Sequence, residues 1–283
     1  MTAEVMPTEK DLPGGDTVRV EIDENNIGWV FFNRPDKRNA INPKLNVEMY
    51  EVLDALEGDD RVKVVVLTGT GDAWSAGMDL KEYFRETDGK PRWVQSRVRR
   101  QGTDWQHQKL INYPKPTIAM VNGWCFGGAF VPLVSCDLAI AAEDAQFGLS
   151  EVNWGVTPGN LVTRALAEVI PTRDAMYHIM TGEPFDGRKA EQMRLVNEAV
   201  PSDRLRERTI ELANRLSSLS QWVVRGTKLG FRHSRLMSWG TAEDFLYAKH
   251  DQAILYDEQA RTKGMEGFLD DKSYRPGVET YSN

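Results

Sequence analysis

The chain has 283 residues, 41% of them hydrophobic and 27% charged, with 8 Trp and 10 Phe to build a core. No run of about 18 apolar residues occurs, which argues against a membrane-spanning helix, and a formal net charge of −7 argues against broad nucleic-acid binding. The two cysteines, Cys125 and Cys136, sit in apolar surroundings, so a disulfide framework is not expected and a reducing cytoplasm is the natural setting.

Residues 1–16 carry Glu4, Glu9, Lys10, Asp11 and the Gly14-Gly15 pair, without a basic start and apolar stretch. They read as a mobile leader and not as a secretory signal. Trp29-Val30-Phe31-Phe32, bounded by Gly28 and Asn33-Arg34-Pro35, reads as a short buried strand. Asn42 to Leu56 has apolar residues at helical spacing: Leu45, Met49, Val52, Leu53 and Leu56. Strands follow at Val62–Leu67, Thr117–Val121 and Leu138–Ala142. Strands alternating with helices predict a right-handed α/β core over 17–200. Beyond Gly159 the pattern turns helical, with helices predicted over Leu161–Ile170, Arg173–Met180, Arg188–Met193, Asp203–Leu219 and Trp239–Phe268. Residues 201–283 are therefore expected to form a helical C-terminal region.

Several site signatures are missing: no P-loop, no GxGxxG after a strand, no HExxH and no CxxC. His107, His178, His233 and His250 lack metal-ligand spacing, and nothing demands a metal or redox cofactor. A Ser-His-Asp triad needs no short spacing and stays open, although the GxSxG elbow is absent. Two loops carry more information. Gly127-Gly128 lies where a loop turns into a predicted helix, so backbone can approach a ligand closely and the helix start directs N–H groups at it. Ser75-Ala76-Gly77-Met78-Asp79-Leu80 joins small residues to another helix start. The ordinary reading of either loop alone is a tight turn; together they can offer two N–H groups to one developing oxyanion.

At this point a resemblance becomes specific. Asn33-Arg34-Pro35, Ser75-Ala76-Gly77-Met78-Asp79-Leu80, Val121-Asn122-Gly123 with Gly127-Gly128, and Phe147-Gly148-Leu149-Ser150-Glu151 resemble the crotonase (enoyl-CoA hydratase/isomerase) superfamily. Thr181-Gly182, Ala190 and Leu195-Val196-Asn197 match its later signature, and the likeness spans roughly 17–275. A finer resemblance points to the hydroxycinnamoyl-CoA (feruloyl-CoA) hydratase-lyase branch. It is carried by the run from Gly77 to Phe84, by Gly123-Trp124-Cys125-Phe126-Gly127-Gly128, by Glu151-Val152-Asn153-Trp154-Gly155, and by the run from Glu243 to Lys249.

The resemblance implies a crotonase-like spiral of ββα repeats with a helical C-terminal trimerisation region, assembled as a homotrimer or hexamer. It implies that the N–H groups of Met78 and Gly128 form an oxyanion hole, and that Lys37, Arg38, Ala40, Ala76 and Leu80 line the CoA path. CoA is then part of the substrate, and no cofactor, nucleic acid or membrane is called for. Ordinary family hydratases use two glutamates around one water; the second matches Glu151 and the first falls at Val131. The ordinary reading of Glu151 is a solvated or capping carboxylate; the resemblance makes it the proton-transferring group. The hydratase-lyase branch carries serine at the first position, so Val131 departs even from that branch.

Tyr83 and Tyr247, each ordinarily read as a half-buried tyrosine, match the tyrosines that hold the substrate's phenolic oxygen, one of them across a subunit interface. Ser150, Trp154 and Gly159 would sit along the same acyl pocket. The expected activity is hydration of a 4-hydroxycinnamoyl-CoA thioester and retro-aldol cleavage to an aromatic aldehyde, such as vanillin, and acetyl-CoA. A simple enoyl-CoA hydratase or isomerase, or a variant weakened by Val131, stays open; a non-catalytic binding protein is disfavoured by the acidic balance and the presence of Glu151.

Overall fold

The computed structural model of the chain describes Leu12 and residues 14–273; of the leader expected at 1–16, residues 1–11 and 13 lie outside the described residues. Strands β1 (Val18–Ile22) and β2 (Ile27–Phe32) pair antiparallel. Their turn is closed by Asp23, whose carboxylate accepts from the backbone N–H groups of Asn25 and Ile27 and from Trp29 Nε1 at 2.8–3.0 Å. Helix α1 (Pro43–Gly58) starts where sequence periodicity places it, with Asn42 accepting the Leu45 N–H at 2.8 Å and Pro43 in the first turn. It buries Leu45, Met49, Val52, Leu53 and Leu56, each side chain contributing about 1.5–3 kcal/mol when fully withdrawn from water.

Next come β3 (Val64–Gly69), β4 (Ala73–Ser75), a π-helical segment at Leu80–Arg85, the short turn α2 (Glu86–Asp88), α3 (Arg92–Thr103) and a second π-helical segment at Asp104–Lys109. Strands β5 (Thr117–Val121) and β6 (Trp124–Phe126) lead through a 3-10 turn at Gly127–Ala129 into α4 (Phe130–Ser135). Strands β7 (Leu138–Ala142) and β8 (Gln146–Gly148) lead to a 3-10 turn at Glu151–Trp154, then α5 (Val162–Val169) and α6 (Thr172–Thr181). Strand β9 (Phe185–Asp186), α7 (Gly187–Gln192) and β10 (Glu198–Val200) follow.

The larger sheet has the order β1-β2-β3-β5-β7-β10, parallel from β2 to β10. Its central strands are buried on both faces, which is why Val64–Leu67 and Thr117–Val121 read as unbroken apolar or β-branched runs. The smaller sheet has the order β4-β6-β8-β9. The pairs β3/β4, β5/β6 and β7/β8 each give their first strand to the larger sheet and their second to the smaller one, producing the expected ββα spiral. Asn122 ties two of these turns together: its amide donates to the Gly69 and Gly71 carbonyls at 3.0 and 2.9 Å and accepts the Gly69 N–H at 3.1 Å.

The described residues divide into two compact units, one running to residue 113 and again over 117–209, the other comprising 114–116 and the described residues from 210 on. Helix α8 (Leu205–Ser217) begins in the first and ends in the second. The second unit contains α9 (Gln221–Ser234), α10 (Trp239–Tyr256) and α11 (Glu258–Leu269), with α9 packed on α10 and α10 on α11. The single helix expected over Trp239–Phe268 is thus two. The break falls at Asp257, whose backbone leaves the helical region and whose carboxylate accepts the Ala260 N–H to start α11. Among the described residues no helix is long and apolar enough to cross a membrane.

Candidate active site

The segment 73–82 runs beside the loop 34–42, and the local hydrogen bonds dictate which way its peptides face. Ile41 N–H donates to the Gly77 carbonyl at 2.7 Å, and Asp79 N–H donates to the Ile41 carbonyl at 2.9 Å. Those two bonds use the peptide groups flanking Met78 on one side, so the Met78 N–H points to the other side; among the described residues no backbone carbonyl accepts it. Gly77 makes the bend with φ +85°, a conformation that a side chain would strain.

What Met78 faces is Gly128. A methyl group built on Gly128 would lie 2.8 Å from Met78 Cγ and 3.0 Å from its Sδ, and one built on Gly77 would lie 3.1 Å from the Gly128 nitrogen. Glycine at both positions is what lets these two backbone segments touch. Gly128 occupies the first turn of the Gly127–Ala129 helix, where N–H groups have no acceptor within the helix. The two residues whose N–H groups are expected to form an oxyanion hole are therefore neighbours, the Met78 nitrogen lying 3.6 Å from where a Cβ on Gly128 would stand.

Glu151 opens the 3-10 turn after β8 and reaches back to the same loop: its Oε1 lies 3.2 Å from where a Cβ on Gly127 would stand. Its Oε2 is buried without a hydrogen-bond partner among the described residues. Burial pushes its carboxyl above the ordinary carboxylate value, partly offset by its own backbone N–H. A carboxylate that is partly desolvated and has one unpartnered oxygen is suited in chemistry to exchanging a proton.

The loops are held by a polar clamp that the sequence reading did not single out. Arg34 Nη1 donates to the Ala40 carbonyl at 2.6 Å and to Asp79 Oδ2 at 3.0 Å, and Arg34 Nη2 to Glu82 Oε1 at 2.6 Å. Asn42 donates to the other oxygen of Glu82 at 2.6 Å. Burial alone would raise Asp79; hydrogen bonds from the Glu82 N–H, from Arg34 and from the Lys81 N–H outweigh it and hold the carboxyl below its usual value. Asn39, buried at φ +56°, donates to the Thr70 and Ala73 carbonyls, and Ser75 Oγ donates to the Asn39 carbonyl. The signal lay in Asn33-Arg34-Pro35 and Asp79, which had been noted only as parts of a motif.

The remaining expected residues are distributed as follows. Ala76 N–H donates to the Arg38 carbonyl at 2.8 Å, which sets the Arg38–Ala40 loop against the Met78 segment. Lys37 and Arg38 are exposed, the Arg38 guanidinium lying 4.6 Å over the Trp124 ring. Leu80 is 58% exposed directly after the Met78 segment. Tyr83 is buried on the π-helical segment and edge-on to Phe84; burial pushes its phenol up, and the charge of Arg99 pulls it down. Ser150 precedes Glu151 without capping it, while Trp154 and Gly159 are exposed on the turn that follows. Val131 is fully buried in the first turn of α4, three residues after Gly128. Tyr247 belongs to the second unit, where it is 63% exposed on α10.

Comparison with known proteins agrees with this geometry. The profile of the enoyl-CoA hydratase/isomerase family matches residues 23–275. The chain is 56% identical over 266 residues to the hydroxycinnamoyl-CoA hydratase-lyase of Pseudomonas fluorescens, covering 94% of this chain and 96% of that one. It is 31% identical over 254 residues to a probable enoyl-CoA hydratase of Rhizobium meliloti, covering 90% and 95% of the two chains. The structure of an enoyl-CoA hydratase from Mycobacterium smegmatis superposes with a TM-score of 0.82 at 25% identity, over 93% of this chain and 99% of that one. Motifs, ββα spiral and profile converge, and the chain belongs to the enoyl-CoA hydratase/isomerase, or crotonase, family.

Proposed function

We propose that the chain hydrates a 4-hydroxycinnamoyl-CoA thioester of the feruloyl-CoA type and then cleaves the adduct to an aromatic aldehyde of the vanillin type and acetyl-CoA. The observation that carries this reading is the meeting of Gly77-Met78 with Gly127-Gly128 beside the half-buried carboxylate of Glu151, whose Oε2 has no partner among the described residues. The substrate class follows the relative from Pseudomonas fluorescens, which shares more than half of its residues with this chain.

In the first step Glu151 takes a proton from water, and the hydroxide adds to the β-carbon. The displaced electron pair moves to the thioester oxygen, where the Met78 and Gly128 N–H groups receive the charge; removing one such donor typically costs about 2.7–4 kcal/mol. Glu151 then returns the proton to the α-carbon. In the second step Glu151 takes the β-hydroxyl proton, the Cα–Cβ bond breaks, and its electron pair again reaches the thioester oxygen. Protonation of that enolate at carbon gives acetyl-CoA, and the aldehyde leaves. Both steps place charge on one oxygen, so one hole serves both. Tyr83 and Tyr247, one of them reaching across a subunit interface, favour phenolate character in the substrate ring. With a para-hydroxyl the order can then reverse, the α-carbon taking its proton first to give a quinone-methide-like intermediate to which water adds at the β-carbon. Lys37, Arg38, Ala40, Ala76 and Leu80 border the CoA path; Ser150, Trp154 and Gly159 border the acyl pocket.

Assembly as a trimer or a pair of trimers is supported by the second unit's exposed apolar side chains, among them Trp239, Leu236 and Phe231. A cytoplasmic setting is supported by the two buried cysteines, neither of which is in a disulfide among the described residues. One observation favours a second reading, a hydratase or isomerase that stops short of cleavage: Val131, where the hydratase-lyase branch carries serine, offers no hydroxyl. Feruloyl-CoA supplied to the purified protein separates the two. Aldehyde and acetyl-CoA released in equal amounts support the lyase, whereas accumulation of the β-hydroxy adduct without aldehyde sinks it.

A further inference from the structure

Gln106 lies on the second π-helical segment and is completely buried, an unusual place for an amide side chain unless its polar atoms are engaged. Its Nε2 stands 3.3 Å from Asn46 Oδ1 and 4.0 Å from Met78 Sδ. Its Oε1 accepts from Asn160 Nδ2 at 3.4 Å, and Asn160 in turn accepts from Thr103 Oγ1 at 3.1 Å. Asn46 is anchored by Trp105 Nε1 at 2.7 Å, while its own Nδ2 is buried without a partner. The Met78 side chain is therefore bordered on two sides: its Cγ and Sδ occupy the space that a Cβ on Gly128 would need, and its sulfur meets the Gln106 amide. At the far end Asn160, exposed and at φ +53°, belongs to the stretch that follows the Glu151 turn and includes Gly159. π-Helical turns recur at functional sites because one extra residue re-aims the side chains.

We infer that Gln106 is a positioning residue: through the Met78 sulfur it sets the Met78 arm of the oxyanion hole, and through Asn160 it links that arm to the stretch after Glu151. The inference rests on the oxyanion-hole reading above. Gln106 touches neither the thioester nor Glu151, so its effect passes through the placement of one N–H. Misplacing a donor by a fraction of an ångström weakens charge stabilisation in the transition state more than it weakens substrate binding.

The test uses the full chain carrying Gln106→Met, which keeps volume and removes the amide, and separately Asn160→Gly, which removes the exposed end of the link and tolerates the left-handed backbone. Cinnamoyl-CoA, which lacks the para-hydroxyl that the quinone-methide-like intermediate needs, serves as a bound probe, its spectrum recorded with enzyme in excess before hydration removes the double bond; its conjugated thioester absorbs further to the red when its carbonyl oxygen is hydrogen-bonded. Gln106→Met is expected to lower kcat on feruloyl-CoA about ten-fold with KM changed less than about two-fold, and to shrink the probe's red shift. Asn160→Gly is expected to move both readouts the same way by less. A Gln106→Met protein with wild-type kcat overturns the inference, as does one whose kcat falls while the red shift stays intact, because that pattern belongs to a merely structural role. Absence of any red shift in the wild type overturns the oxyanion hole itself and the inference with it.

Discussion

The loop pair 34–42 and 73–82 and the turn that begins at Glu151 are assigned complementary parts of one reaction, yet they are built in opposite ways. In the loop pair nearly every polar group is engaged: Arg34 binds three acceptors, Asn39 and Ser75 bind backbone, and Asp79 is capped by two N–H groups. In the turn, residues 153–157 are exposed and the Glu151 carboxylate keeps one buried oxygen without a partner. The difference follows from the work each part is asked to do. A donor aimed at a developing oxyanion acts best when it cannot move. A carboxylate that must gain and lose a proton acts best when neither form is over-stabilised, and burial without an ion pair brings that about.

Removing the chemistry from the loosely held side should have the largest effect. Glu151→Gln is expected to lower turnover of feruloyl-CoA by about 10²–10⁴-fold, measured as aldehyde release, while the probe's red shift persists because the donors are untouched. The same variant should be more stable at neutral pH than the wild type. The sign follows from the raised carboxyl: the native state holds its proton to higher pH than the unfolded chain, so wild-type stability falls as pH rises from the ordinary value of 4.5 through the native one. The stability difference should therefore vanish below that window.

On the tightly held side, Arg34→Met leaves Asp79 and Glu82 without their shared cation. With Arg34 and Asp79 side chains each only 10% exposed, the loss of unfolding free energy should be about 3 kcal/mol, read from urea denaturation. Asp79 works in the opposite sense to Glu151: its contribution is present above the ordinary carboxylate value and is lost as pH falls through its depressed value. A change well under 1 kcal/mol would show that the clamp is a surface feature. The smallest effect is expected at Val131→Ser. A restored hydroxyl near the hole should increase aldehyde release by about two- to ten-fold, the scale of one hydrogen bond, with a modest drop in Tm from burying a polar group. No gain would show that the apolar residue is neutral for cleavage.

Much of the tight side was legible in the sequence, and its weak points are instructive. Helix α1 shows because five apolar residues keep helical spacing and Asn42 caps it; β5 and β7 show because both faces are buried. The approach of the Met78 and Gly128 segments shows because two glycine-bearing loops follow neighbouring strands. Strands β4, β6 and β8 stayed hidden, since three residues are too few for a period and each abuts a glycine or small-residue loop. Helix α9 was missed because Gly226, Gly230 and scattered basic residues interrupt its apolar face. The Asp257 break in the last helical stretch depends on one residue's capping geometry. Gln106 and Asn46 had no signature at all, because a single amide in a polar-rich helix reads as surface until the fold buries it. The reading of Tyr83 and Tyr247 as substrate-holding residues rests on family resemblance alone; the half-buried position expected of each is met by neither, Tyr83 being buried and Tyr247 63% exposed.

The proposed contrast between fixed donors and a partly desolvated proton carrier with one unpartnered oxygen is tested most directly by the pH dependence of kcat/KM on feruloyl-CoA, which reports ionisations of the free enzyme. The account predicts an acid limb in which activity falls on protonation of one group, centred above the usual glutamate value of 4.5, and absent from the residual activity of Glu151→Gln. A limb centred at or below that value, or one that persists unchanged in Glu151→Gln, would contradict it.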